Sequence, residues 1–181
     1  MAQTIPLKDI VVGDRRALTV ESRLLSSGAD KNPTSATMLV YDPELKVTGT
    51  ADAGGTSTLS DSALTQASDY WNGMPIEVTD ATDDHMEETE VTDFDATLDM
   101  LTFGTLSFAV VADDTYTIKG TPVLTEAAAT VSGNEASRIA SPSDVTARPR
   151  ALTVPFEFTF SADDIQGGIG LLQVIPRRLV P

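Results

Sequence analysis

Seventy-two consecutive positions, from Val47 to Ile118, contain neither lysine nor arginine, although the 181-residue chain has 12 basic residues. The same stretch carries 15 of the 27 acidic residues, which leaves 12 acids against 12 bases elsewhere. So sharp a change in charge indicates two physical units. We predict a near-neutral unit, residues 1–46 plus 121–181, with an acidic unit, residues 47–120, inserted in it. A single domain with one acidic face is the alternative.

A short repeat links the two ends of the chain. The sequence Arg-Ala-Leu-Thr-Val occupies 16–20 and recurs at 150–154. Each copy opens a strand-like run, and after turn residues the chain returns at 36–41 in the first case and at 171–175 in the second. Strict alternation in Phe156-Glu-Phe-Thr-Phe160 indicates a half-buried strand. We therefore expect two similar hairpins that pair in one sandwich.

The acidic unit also has a β pattern. Strands are predicted near 76–79, 90–94, 100–103 and 115–118, separated by Gly, Asp, Asn and Pro at turn positions. Such spacing suits a small antiparallel barrel or sandwich. One or two helical turns are expected in 61–71, where apolar residues approximate a helical stripe. The predicted fold is all-β, with two small antiparallel sandwich- or barrel-like domains, the second inserted in the first and protruding.

Both termini are predicted to be extended arms. Prolines near each end favour extended backbone. An extended arm can add a strand to the exposed sheet edge of a partner, and its arginines can pair with the partner's carboxylates. The arm residues expected to contact a partner are Lys8, Ile175, Arg177, Arg178, Leu179 and Val180.

Several classes of function are excluded by composition and motif. The chain has no cysteine and one histidine, His85, so thiolate sites and multi-histidine metal cages are ruled out. No nucleophile elbow, phosphate loop or dinucleotide fingerprint occurs. We therefore predict no enzymatic activity, no catalytic residue, no cofactor and no metal site. The net charge of −15 argues against nucleic acid as a partner. A membrane partner is not expected either, because no run of about 20 apolar residues and no N-terminal secretion signal is present.

Three features have both a plain and a functional interpretation. His85, flanked by acids, is interpreted as an exposed turn histidine. The carboxylate run 80–90 is interpreted as a solvated loop, although a calcium site is the alternative. Trp71 is expected to pack in the core with Leu64 and Phe94, although with Tyr70 it would also suit a sugar-stacking platform.

Parts of the middle segment resemble a β module of structural proteins of tailed bacteriophages, over about residues 50 to 120. Gly13 to Arg15 is loosely similar to the start of immunoglobulin-like phage accessory domains. Glu87 to Glu90 stands where a basic residue is common in that module, which puts a shared binding surface in doubt. The matching segments are Gly55-Thr-Ser-Thr-Leu59, Ala63-Leu-Thr-Gln-Ala67, Asp69-Tyr-Trp-Asn-Gly73, Val91-Thr-Asp-Phe-Asp95 and Asp114-Thr-Tyr116.

This resemblance implies a virion component without enzymatic activity. Because a near-neutral unit with basic arms can dock on a shell while an acidic unit faces solvent, we expect a capsid cement or decoration protein. A tail, neck or baseplate adaptor is the first alternative, and a carbohydrate-binding host-attachment module is the second. The expected partners are other copies of the chain, with a trimer favoured, and the major capsid protein or other virion proteins.

Overall fold

The computed structural model describes residues 4–6, 10–11, 16–21, 32–133, 135–140, 150–161 and 164–175. These residues form strands and turns without any helix, which confirms the predicted all-β class. The chain divides into two compact units, Met1–Tyr41 with Ala127–Pro181, and Asp42–Glu126. The charge pattern predicts unit boundaries at 46/47 and 120/121, a few residues inside the second unit. The difference arises because the pattern depends on Lys46 and Lys119 and not on the ends of strands.

The strands are numbered here in chain order. They are β1 Thr4–Pro6, β2 Ile10–Val11, β3 Arg16–Glu21, β4 Ser35–Asp42, β5 Val47–Thr50, β6 Ala53–Gly54, β7 Thr58–Ser60, β8 Pro75–Thr79, β9 Met86–Asp95, β10 Met100–Phe103, β11 Thr115–Ile118, β12 Thr121–Ala128, β13 Thr130–Ser132, β14 Glu135–Ala140, β15 Arg150–Ser161 and β16 Asp164–Ile175.

The unit built from the chain ends is organised around one long hairpin. Strands β15 and β16 pair antiparallel from Arg150 opposite Val174 to Ser161 opposite Asp164, which confirms the second predicted hairpin and lengthens it. The six-stranded sheet has the order β1-β16-β15-β4-β12, with β2 also on β16, and a second sheet has the order β13-β14-β3. Alternate residues of β15 from Leu152 to Phe158 are buried. The period-2 pattern of the sequence therefore defines the core face of this strand.

The first predicted hairpin is wrong. Strand β3 pairs antiparallel with β14, and β4 pairs with β15, so the two copies of the five-residue repeat lie in different sheets. A repeated pentapeptide fixes the tendency to form a strand, whereas the choice of partner is set by packing over the whole unit.

Strand β1, which is the described part of the predicted N-terminal arm Met1 to Lys8, pairs within the chain, and so does β2 after it. Strand β1 runs parallel to β16, with Thr4 opposite Ile169, and β2 runs parallel to its end, with Val11 opposite Ile175. The sheet is therefore not purely antiparallel, and Ile175 is the last residue of a strand and not part of an arm. The other predicted contact residues, Lys8, Arg177, Arg178, Leu179 and Val180, lie outside the described residues.

The acidic unit is a seven-stranded antiparallel sheet that closes on itself. Its order is β5-β11-β8-β9-β10-β7-β6, yet the two edge strands β5 and β6 are joined through only Ala51 and Asp52. At this junction the backbone changes partner: Ala51 N donates to Asp114 O of the segment before β11, and Asp52 N donates to Ser60 O of β7, each at 2.8 Å. The unit is therefore a small barrel, which is one of the two architectures that the strand spacing suits.

The barrel encloses an apolar core. Trp71 is buried, as predicted, with its ring edge-on to Tyr70 at 4.7 Å and its Nε1 donating to Gln66 Oε1 at 3.2 Å. The other fully enclosed side chains include Leu59, Met74, Ile76, Val78, Val91, Phe94, Leu101 and Ile118.

The helical turns expected in 61–71 are not formed. This segment is a series of separate turns, in which Leu64 N donates to Asp61 O at 2.9 Å and Ala63 N donates to Asp61 Oδ1 at 2.8 Å. The apolar stripe arises because Leu64 and Trp71 both enter the barrel core from a loop. A helical period in a short window therefore does not establish a helix.

Candidate interaction surface

Charge is divided very unequally between the two units. The unit Asp42–Glu126 contains 18 acidic and 2 basic residues, which gives −16, and the other unit contains 9 acidic and 10 basic residues, which gives +1. Ten of the 18 carboxylates are exposed and three are buried. The barrel surface is therefore strongly negative, and its only cations are Lys46 and Lys119.

Two of the buried carboxylates in the barrel have structural roles. Asp61 accepts a hydrogen bond from the Tyr116 hydroxyl at 2.7 Å, and burial together with this carboxylate raises the pKa of Tyr116 well above its ordinary value. Asp114 accepts Ala81 N through Oδ1 and Val111 N through Oδ2, each at 2.8 Å. These contacts hold loops together and leave little of either carboxylate for a ligand.

Glycine at position 49 is required, because a Cβ there would overlap the Tyr116 hydroxyl.

The outer face of strands β5, β11, β8 and β9 is a regular polar surface. Ile76, Val78, Tyr116 and Ile118 point into the barrel, so the residues between them point outward. Two cross-strand rows result, Thr48–Thr117–Glu77–Glu88 and Thr50–Thr115–Thr79–Met86. We call the five threonines of these rows the threonine face.

A groove of about 430 Å³ lies on the threonine face. It is lined by Thr48, Gly49, Thr50, Thr79, Thr115, Tyr116 and Thr117. Glu77 pairs with the lining residue Thr117 across the strands. It forms an ion pair with Lys119 and lies directly opposite Glu88 on β9. The sequence reasoning missed this groove, although the Thr-x-Thr pattern at 48–50 and 115–117 is a period-2 signal for an outward-facing threonine row.

His85 belongs to a small exposed cluster. Its Nε2 lies 3.0 Å from Glu87 Oε1 and 3.4 Å from Ser107 Oγ, and its ring is edge-on to Phe108 at 5.6 Å. Ser107 donates through its hydroxyl and its backbone N–H to Glu87, and these bonds together with His85 lower the pKa of Glu87. A catalytic triad places the serine and the carboxylate on different imidazole nitrogens, whereas both lie on the same nitrogen here. The cluster is therefore a surface hydrogen-bond network.

Three further observations concern Trp71, metal ligands and membrane-spanning helices. Trp71 is only 1% exposed, so it offers no face for sugar stacking. Among the described residues no three carboxylate or imidazole side chains converge on a point that would hold a metal ion. No helix long and apolar enough to cross a bilayer occurs in the described ranges.

Comparison with protein-family models, curated proteins and solved structures gives no match to this chain. The class that the fold itself defines is an all-β protein with two compact units, one of which is an acidic antiparallel barrel.

Proposed function

We propose that this chain is a non-enzymatic structural component of a tailed-phage virion, bound to the head shell as a capsid cement or decoration protein. The observation that carries the proposal is the division of charge, −16 on the barrel unit and +1 on the other. A near-neutral unit meets little long-range electrostatic repulsion when it docks against a shell. The barrel remains in solvent, where repulsion between like-charged neighbouring copies keeps particles dispersed.

The proposed partners are other copies of the chain and the major capsid protein. Lys8, Arg177, Arg178, Leu179 and Val180 remain the proposed contact residues. Arginine side chains pair bidentately with carboxylates, and short apolar residues beside them add buried area. We propose a trimer, which matches the three-fold positions of an icosahedral shell. Light scattering coupled to size-exclusion chromatography would give the mass of the isolated oligomer.

Imaging of virions that carry this protein tests the location. Density repeated over the head surface is expected for a cement protein. Density confined to a ring or fibre at the tail would overturn the cement assignment and favour a tail, neck or baseplate adaptor.

A binding assay tests the mechanism of attachment. Purified protein is added to heads assembled without it, and the bound fraction is measured after sedimentation at increasing salt. The double variant Arg177→Ala/Arg178→Ala is expected to bind less and with a weaker salt dependence. Lys119→Ala is the matched control, because this lysine pairs with Glu77 within the barrel and should not affect attachment.

A further inference from the structure

Asn72–Gly73 is the dipeptide of this chain most prone to spontaneous deamidation. An asparagine side chain can cyclise onto the backbone nitrogen of the residue that follows it, and a following glycine has no Cβ to hinder the approach. The other two asparagines precede Pro33, which has no N–H to lose, and Glu135, whose side chain obstructs cyclisation. Asn72 is therefore the asparagine at which the sequence favours this reaction.

The fold places Asn72 and Gly73 at the two central positions of a type II turn. Met74 N donates to Trp71 O at 3.0 Å, which closes the four-residue turn. Asn72 has a negative φ and Gly73 a φ of 77°, a combination that matches type II. The ψ of the first central residue of such a turn is about +120°. Cyclisation needs a negative ψ, at which the following nitrogen eclipses the asparagine Cβ, so the turn holds the reacting atoms apart.

Hydrogen bonds restrain both reacting groups as well. The nucleophile, Gly73 N, donates to Val91 O at 2.8 Å, and Val91 N donates to Met74 O at 3.0 Å. The leaving group, Asn72 Nδ2, donates to Asp69 Oδ1 at 3.0 Å. Loss of the Gly73 proton would break the bond to Val91, and rotation of the Asn72 side chain would break the bond to Asp69. Cyclisation therefore requires the turn to separate from β9.

The product of the reaction does not suit the same place in the fold. Asn72 Oδ1 is buried, and among the described residues no group donates a hydrogen bond to it. A carboxylate at this position would have one buried oxygen without a donor. Its other oxygen would replace Nδ2, which lies 3.0 Å from Asp69 Oδ1. Burial and the neighbouring like charge both disfavour the ionised product, so a deamidated chain should refold less stably.

We propose that Asn72 is a spontaneous deamidation site that reacts only when the barrel opens, and that its product disfavours reclosure. Gly73 N attacks Asn72 Cγ and loses its proton, the Cγ–Nδ2 bond breaks, and ammonia leaves behind a succinimide. Water then opens this ring at either carbonyl carbon, which gives aspartate or isoaspartate. The isoaspartate lengthens the backbone of the turn by one methylene. The reaction thus marks chains that have been unfolded, whether or not the protein belongs to a virion.

The test compares the full-length protein in native buffer and in denaturing guanidinium chloride, at one temperature and pH. Peptide mass spectrometry follows the conversion of each asparagine to the acid. Asn72 is expected to convert at least about 10-fold more slowly in the folded barrel, because the rate follows the population of the open form. Asn32 and Asn134 are internal controls and should convert slowly in the denaturant. Equal rates for Asn72 in the two samples, or no faster conversion of Asn72 than of Asn134 in the denaturant, would overturn the proposal.

Two variants test whether the product disfavours the folded barrel. Asn72→Asp introduces the product's carboxylate, whereas Asn72→Ser is the matched neutral control with a residue common in turns. We expect a lower denaturation midpoint for Asn72→Asp than for Asn72→Ser, and the difference should shrink as the pH falls and the new carboxylate is protonated. Equal midpoints at neutral pH would contradict the effect on reclosure.

Discussion

Replacement of Asp114 by asparagine is the sharpest test of how the barrel is held together. Asp114 is 1% exposed, and its two carboxylate oxygens accept backbone N–H groups from two loops, Ala81 and Val111, at 2.8 Å each. An asparagine has one acceptor oxygen, so its amide NH₂ would face one of these donors. The change removes one charge-assisted hydrogen bond and places an amide NH₂ against a backbone N–H, at a cost of about 2–3 kcal/mol.

The assay is chemical unfolding followed by tryptophan fluorescence, because Trp71 is the single tryptophan and lies in the barrel core. Asp114→Asn should lower the denaturation midpoint without changing the m-value. Asp113→Asn is the matched control: Asp113 is exposed and has a φ of 77°, a left-handed conformation that asparagine also tolerates. It should stay within about 0.5 kcal/mol of the parent. If the two variants were equally stable, the argument that Asp114 joins the two loops would be refuted.

Three further predictions follow from the described contacts and the proposed function. Trp71→Ala should destabilise the barrel by about 3–5 kcal/mol in calorimetry, because the cavity it leaves cannot fully collapse; if stability were unchanged, the ring would not be in the core. Because folding raises the pKa of Tyr116, its contribution to the free energy of unfolding is fully present below about pH 10, the pKa of an unfolded tyrosine. This contribution is lost as the pH rises towards the pKa of the folded protein. The urea midpoint should therefore fall between pH 9 and 11, and Tyr116→Phe should reduce this fall; an equal fall in both proteins would contradict the assignment. Deleting residues 176–181 should weaken attachment to heads far more than it lowers the melting temperature, and a large loss of melting temperature would instead assign this segment to the fold.

The sequence predicts local strand structure well and long-range pairing poorly. The predicted strands 100–103 and 115–118 match β10 and β11, because alternation and flanking turn residues act within a few positions. The partner of β3 could not be obtained, since pairing with β14 depends on the packing of residues more than 100 positions apart. The groove on the threonine face was missed for a related reason: three separate strands form it, and only their register brings the threonines together.

The barrel also explains how an acidic unit can be inserted without disturbing the strands on either side. Its first and last strands, β5 and β11, are antiparallel neighbours, with Val47 directly opposite Ile118. The chain therefore enters and leaves the barrel at adjacent points, and Thr121 Oγ1 donates to Leu45 O at 2.6 Å just outside this pair. Because the barrel closes its own ladder at Ala51 and Asp52, the strands β5 to β11 need no partner from outside. A barrel whose backbone hydrogen bonds are made within itself can carry many surface carboxylates. The cost is repulsion between these carboxylates, which solvent and salt screen.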